Sequence, residues 1–370
     1  MSELQFSRNT KVYLKQGANI WEIPVLDGYS FSQATNASEI TLSEMADSAG
    51  NSRRARTMFN DSVAPAEWSF STYVRPKGGV TGSAVEEALW ANFIAVNSYT
   101  APAWTAGVTR GTNSVAFDFD DSNKTALGIF DLYFVLGACG HADADYNSVS
   151  DTTLTIYKMA DCVSNSTSID FEIDGIATIG WSGFGKIITE ETEFDASAAI
   201  RVGVDDTDNF IRNRLTSLTV TASDTATFAG AGAGVYNVTL TGGSISLENG
   251  ITYLTPETLC TVNQPIGHVT GTRNISGSFT CYLSGGTGGS EDLFEDLIGA
   301  TGVVTNSFAL TFSVGGLTAP KVVFYMPKCH LEVPTHSIED VISVETNFHA
   351  LPTTIGVADE VLITYTGVAP

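Results

Sequence analysis

The sequence is short of positive charge. Its 370 residues hold 18 Lys and Arg against 41 Asp and Glu, giving a formal charge of −23 and a pI near 4.3. Phosphate binding needs a basic stripe, so a nucleic-acid binder of the usual kind is excluded. Charge of either sign is scarce, at 16% of residues where ordinary domains hold about 25%. Long apolar runs are missing too, and no stretch approaches the roughly 18 residues that suggest a membrane span. Met1 to Thr10 lacks the charged-then-apolar pattern of a secretion signal. Cysteine is sparse. Cys139, Cys162, Cys260, Cys281 and Cys329 are widely spaced and form no CxxC pair. No disulfide framework is therefore expected, and folding in a reducing cytoplasm is.

The common chemical motifs are also absent. There is no G-x-S-x-G elbow, no H-E-x-x-H and no P-loop. Gly230-Ala-Gly-Ala-Gly234 is not followed by a helix pattern, which argues against a phosphate cradle. The acidic clusters Asp118/Asp120/Asp121, Asp143/Asp145 and Asp205/Asp206/Asp208 lack the glycine and closing Glu of a calcium loop and read as solvated turns. His330, His336 and His349 lie near Cys329 without a second ligand pair at zinc spacing, so they read as core or surface side chains. The expectation is no enzyme, no metal and no cofactor.

What remains is apolar and hydroxylated. Apolar residues make up 43%, enough to fill a core. The 78 Ser and Thr and 35 Gly point to a mainly β chain. The length exceeds the roughly 250–300 residues at which one core stops growing, so two domains are expected.

An internal repeat gives the same answer. Trp68-Ser-Phe-Ser-Thr-Tyr-Val74 matches Gly277-Ser-Phe-Thr-Cys-Tyr-Leu283, and each leads into a glycine-rich turn, Pro76–Gly79 and Gly285–Gly289. Each turn precedes a short helical pattern, Glu87–Ala95 and Glu291–Gly299. Apolar residues at Leu89, Trp90, Phe93 and Ile94, and at Leu293, Phe294, Leu297 and Ile298, form the stripe of a helix laid on a sheet. Three further matches follow in order: Asn113–Phe119 with Asn306–Phe312, Met159–Cys162 with Met326–Cys329, and Ile173–Ile179 with Ile338–Val344. The offsets fall steadily, 209, 204, 193, 167 and 165. Ordered matches with monotonic offsets indicate a tandem duplication.

Each copy reads as strands, a glycine turn, one helix and more strands. Strands are expected at Leu154–Tyr157, Leu218–Thr221 and Lys321–Tyr325. A hairpin is expected in Tyr236–Leu247, turning at Gly242-Gly243, with a second tight turn at Asn249-Gly250. The acidic, aperiodic segment Glu190–Asp208 places the boundary near 200, giving domains 1–200 and 201–370. The first has 12 basic against 25 acidic side chains and the second 6 against 16, so neither is the basic partner of the other.

One basic cluster stands out. Arg53, Arg54 and Arg56 fall in Ser48–Ser62, which lacks an apolar pattern and reads as a loop. It is either a solvated loop or a contact arm that pairs with carboxylates on a neighbouring subunit.

Ile23-Pro-Val-Leu-Asp-Gly-Tyr-Ser-Phe-Ser-Gln-Ala-Thr-Asn-Ala-Ser-Glu-Ile-Thr-Leu42 resembles the opening of the tail tube (major tail) proteins of tailed bacteriophages, and so does Thr261–Leu283. The resemblance covers most of both copies and carries no catalytic motif. It implies two tandem β-sandwich or barrel domains, each with one short flanking helix. It implies subunits closed into six-fold rings with one sheet from each lining a lumen, and rings stacked through a loop that falls on Ser43–Asp61 here. Inter-ring contact candidates are Arg53, Arg54, Arg56 and, in the second copy, Arg273. The implied partners are further copies of the chain, a tape measure protein, a tail terminator and distal tail or baseplate proteins. Genome DNA would pass through the lumen without specific binding, in a virion tail assembled in the host cytoplasm with no membrane anchor.

If six domains close a ring, a two-domain chain needs three copies, a trimer with pseudo-six-fold symmetry and a charge of −69 for three chains of −23. A negative bore lets duplex DNA slide rather than stick. Two other classes stay open. One is a glycan-binding or adhesive β-sandwich, using Trp104, Tyr146 and Trp181 to stack on sugars. The other is a hydrolase with carboxylates drawn from distant loops. Within the tube class, a contractile-tail or secretion-system tube is the nearest alternative.

Overall fold

The structure is a computed structural model, and it describes residues 5–39, 49, 58–119, 126–138, 154–202, 209–259, 262–300, 302, 307–338 and 340–368. The first half runs β1 (Gln5–Gln16), β2 (Asn19–Ile23), β3 (Ser30–Glu39), β4 (Met58–Tyr73), β5 (Pro76–Lys77), β6 (Ser83–Ala84), α1 (Glu87–Ile94), β7 (Tyr99–Thr100), β8 (Ala103–Trp104), β9 (Val108–Gly111), β10 (Ser114–Asp118), β11 (Phe130–Ala138), β12 (Thr155–Phe171), β13 (Thr178–Gly185) and β14 (Ile187–Glu191). The second runs β15 (Ser217–Ala222), β16 (Val235–Val238), β17 (Leu240–Glu248), β18 (Ile251–Leu254), β19 (Gly267–Thr270), β20 (Asn274–Tyr282), α2 (Ser290–Gly299), β21 (Phe308–Val314), β22 (Lys321–Leu331), β23 (Thr335–Ser337), β24 (Ser343–Ala350) and β25 (Leu362–Thr366). The chain is mainly β, as its composition and alternation foretold.

Period-two patterning builds the main sheet. In β13, Ile179, Trp181 and Gly183 are buried while Gly180 and Ser182 face the other way, and β24 alternates likewise through Val344, Thr346 and Phe348. Antiparallel pairing orders eight strands as β3-β4-β13-β12-β17-β20-β24-β23, crossing from the first half to the second between β12 and β17. Facing it are β2-β1-β11-β12-β14 from the first half and β16-β15-β21-β22-β25 from the second, the latter extended by β10-β9 of the first. The 17-residue β12 serves both layers, bending where Asp161 takes a left-handed backbone. Aromatic contacts join the layers: Phe31 on Phe134 at 4.4 Å and Phe171 on Phe312 at 5.6 Å. A single apolar cluster runs through both halves, from Val12 to Tyr365.

The pairing pattern of the first half recurs in the second. Cys162 stands opposite Phe130 and Met159 opposite Leu132, while Cys329 stands opposite Phe308 and Met326 opposite Leu310, each with the same slip in register. The β1–β2 pair flanks β11 as β15–β16 flanks β21, and β14 lies on β12 as β25 lies on β22. One matched segment is corrected. β21 has β11, not Asn113–Phe119, as its counterpart, because β10 pairs with β9 and β25 instead. Short alternating apolar segments are interchangeable in sequence, and pairing partners tell them apart.

Two other expectations change. Gly242-Gly243 is not a hairpin turn but lies inside β17, where a Cβ on Gly243 would sit 2.6 Å from the Ser278 carbonyl oxygen of the next strand. The chain instead passes from β16 in one layer to β17 in the other. Asn249-Gly250 does turn the chain, with Gly250 at φ +59°. The helices differ from each other. α2 flanks the sheet and buries Leu293 and Leu297, whereas every residue of α1 is buried. Between the layers, Trp90 meets Trp181 edge-on at 4.8 Å and Glu87 is ion-paired with Arg110.

Candidate functional site

The main sheet has one apolar and one polar face, and the polar face is built largely of serine. Register aligns its side chains in rungs across the strands. One rung reads Ser30, Ser69, Ser182, Ser166, Glu248 and Asn274. The next reads Ser71, Gly180, Ser168, Ser246, Ser276 and His349, and a third Asp170, Ser244, Ser278 and Asn347. Neighbouring hydroxyls satisfy one another, Ser30 Oγ to Ser69 Oγ at 2.8 Å and Ser166 Oγ to Ser182 Oγ at 2.7 Å. The sheet is held from its other side by Trp68, Phe70, Trp181, Phe279 and Phe348.

The charges on this face have one sign. Glu67, Asp170, Glu248 and Glu345 are exposed on it. The one Lys or Arg on the eight strands is Lys158, in the part of β12 that belongs to the opposite layer. At its margin Glu332 accepts hydrogen bonds from Asn347 Nδ2 at 2.9 Å and faces His349 Nε2 at 3.4 Å, and these hold its carboxyl below the usual range. The face therefore offers hydroxyls and carboxylates, a hydrated surface that repels polyanions. Sequence reading missed it. The signal was present as serines at alternate positions on strands without basic residues, but only the register shows that they share a face.

The arginine arm is partly placed. Arg53, Arg54 and Arg56 lie outside the described residues. Met58–Ser62, read as loop, belongs to β4 and pairs with β3 out to Glu39 opposite Met58, so the described part of the β3–β4 pair extends past the strand β13 that flanks it. Its second-half equivalent folds down instead. The β18–β19 hairpin lies on the first half, with the Tyr253 hydroxyl donating to the Asp161 carbonyl at 2.9 Å and Leu127 N–H to His268 Nε2 at 2.9 Å. Arg273, at the base of that hairpin, is engaged within its own chain. It pairs with Glu360 at 3.1 Å and stacks 3.9 Å from the centre of the Phe119 ring. That placement gives it a structural task within the chain.

The remaining candidates disperse. Trp104 and Trp181 are buried, their Nε1 groups donating to Glu87 at 2.8 Å and to Thr72 at 3.0 Å, so neither can stack on a sugar. Tyr146 lies outside the described residues. So do Asp120, Asp121, Asp143, Asp145, Asp205, Asp206 and Asp208. Cys329 is buried, its thiol pushed up to about 12 by desolvation, and His336 packs on Phe294 at 4.0 Å. Among the described residues no three His, Cys, Asp or Glu side chains converge as metal ligands. No described helix is long and apolar enough to cross a membrane.

No protein-family model matches the chain. Over 377 aligned positions it is 30% identical to the tail tube protein pb6 of Escherichia phage T5, an alignment covering 96% of this chain and 75% of the relative.

Proposed function

The chain belongs to the tail tube proteins of long-tailed bacteriophages, and on that footing we propose that it polymerises into stacked rings whose bore passes the genome during ejection. The observation that carries this reading is the polar face of the main sheet, four exposed carboxylates among serines with no Lys or Arg among its described residues. Turned to a bore, it repels phosphate and leaves no cationic point at which DNA would stop. Short hydroxyl side chains also suit the concave side of a closed sheet, where long ones would crowd.

Ring stoichiometry follows from the recurrence of strand pairing. We read the two halves, 1–200 and 201–370, as tandem copies that each fill one of six ring positions, so that three chains close a pseudo-hexameric ring. Stacking is assigned to the β3–β4 arm with Arg53, Arg54 and Arg56. The proposed partners are further copies of the chain, a tape measure protein in the bore, a terminator at one end and distal tail or baseplate proteins at the other. The role is structural rather than catalytic, in a virion tail assembled in the host cytoplasm. Negative-stain electron microscopy with a mass measurement in solution tests this reading. Hollow rings or tubes of three chains per ring are expected, and a solid fibre or a lasting monomer overturns it.

A further inference from the structure

The strand pairing recurs between the halves, but the segments it brackets do not behave alike. Ser244 lies opposite Ser278 as Ser30 lies opposite Ser69, so β17 and β20 occupy the places of β3 and β4. The arm is bracketed by β3 and β4. The segment bracketed by β17 and β20 holds the β18–β19 hairpin and its connection, residues 255–266. That hairpin has a fixed direction, because Ile251 is buried with Leu127 and Val163 of the first half while Tyr253 and His268 bond there.

The connection reaches the arm. Among the described pairings only β3 flanks Met58–Pro65 of β4, since β13 ends opposite Ala66. A two-stranded ribbon is marginal by itself. Asn263 takes the other side of β4. The Val63 N–H donates to the Asn263 carbonyl at 2.8 Å and the Asn263 N–H to the Asp61 carbonyl at 3.2 Å, a parallel bridge centred on Ser62. The Asn263 side chain keeps the connection in shape, its Oδ1 accepting from the Thr258 N–H and the Thr258 hydroxyl, both at 2.9 Å. Beside this bridge a cleft of about 530 Å³ lies between the arm at Asp61–Pro65 and the connection at Thr255, Thr258 and Leu259. The contact is therefore a strut rather than a packed face. Gln33 fastens the arm's base from within the first half, its Nε2 donating to the Ala64 and Lys186 carbonyls at 2.9 and 3.1 Å.

We propose that the second half's counterpart of the arm is a brace for it. The hairpin aims the arm through Asn263, stacking uses the arm in that braced direction, and a closed ring presents three arms rather than six. This rests on the ring and stacking reading above. Asn263 is a positioning residue, since it acts on the next ring only through the arm it holds.

A disulfide across the bridge tests the brace. The background is Cys139→Ser/Cys260→Ser, in which Cys162, Cys281 and Cys329 are buried. Ser62→Cys/Asn263→Cys then pairs two positions that the bridge sets side by side. The Asn263 change also removes the acceptor for Thr258, so the reduced protein carries a loosened brace. Reduced, it should close rings but stack several-fold less than the background protein, and oxidation should restore the tubes. Asn263→Ala should likewise lower stacking, and Asn263→Asp, which keeps the acceptor, should not. Image reconstruction of the tubes should show three arms crossing each junction between rings. Oxidised rings that do not stack, reduced rings or Asn263→Ala rings that stack like the background, or six arms at a junction each overturn the brace and leave stacking itself standing. Background rings that never stack remove the stacking reading as well.

Discussion

Gly183 stands directly opposite Trp68 across β13 and β4, and a Cβ there would come within 2.7 Å of the indole and 2.0 Å of the Val163 carbonyl oxygen. Across β20 and β24 the pair recurs with its members exchanged. Gly277 faces Phe348, and its Cβ would lie 2.6 Å from that ring. An aromatic ring over a bare backbone thus closes the apolar side of the sheet at the same point in each half. Gly183→Ala and Gly277→Ala should each destabilise the fold by about 1–3 kcal/mol or more. Denaturant unfolding measures this, and a cost under about 0.5 kcal/mol would show that the backbone moves aside freely.

Phe70 and Phe279 occupy matched positions and are both buried. Phe70→Ala or Phe279→Ala should cost about 3–5 kcal/mol, read as a fall in the unfolding midpoint. A near-neutral effect would mean the strand register is misplaced.

Glu86 is fully buried, with the Arg75 N–H 3.3 Å away and the Tyr365 hydroxyl beside it, and desolvation pushes its carboxyl up to about 8 from 4.5. The folded chain therefore holds a proton that the unfolded chain releases. Its contribution is complete below about pH 4.5 and is lost as pH rises through 8, by an amount on the order of a few kcal/mol. Glu87, raised by burial as well, acts with the same sign. The stability difference between the parent and Glu86→Gln should change steadily between pH 5 and 9, in favour of the variant at high pH. A pH-independent difference would show that Glu86 stays ionised.

Replacing Arg53, Arg54 and Arg56 together with Glu should leave folding and ring closure intact while preventing rings from stacking. Electron micrographs of this variant should show isolated rings. Tubes of normal length would remove the arm from the stacking contact.

Lysines on the polar face should convert a slippery wall into a binding one. Tubes of Ser168→Lys/Ser246→Lys should retain short fluorescent duplex DNA at low salt and release it as salt rises, whereas parent tubes retain none. Equal retention by both would place this face away from the bore.

Much of the fold was legible because its signals are local. The apolar stripe at Leu293 and Leu297 and the alternation in Lys321–Tyr325 each report one element's own environment. Gly242-Gly243 misled for the opposite reason. A glycine pair marks a turn or a place where another strand comes close, and only the position of Ser278 distinguishes the two. The serine face was illegible for a related cause, since Ser182, Ser166 and Ser69 are far apart in sequence and become neighbours through register alone. Arg273 was read by its charge, but Glu360 and Phe119, which occupy it, come from distant parts of the chain.

The pairing of β25 with β10 places Thr366 opposite Ser114, and Trp90 Nε1 donates to the Tyr365 hydroxyl at 2.7 Å. The buried helix of the first half is therefore capped by a residue 275 positions further along the chain. At roughly 5–20 residues per second, a nascent chain carries an unfinished β10 edge for roughly ten to fifty seconds after that strand leaves the ribosome. A chain cut short before β25 leaves one edge of β10 unpaired and the buried Trp90 N–H without its acceptor.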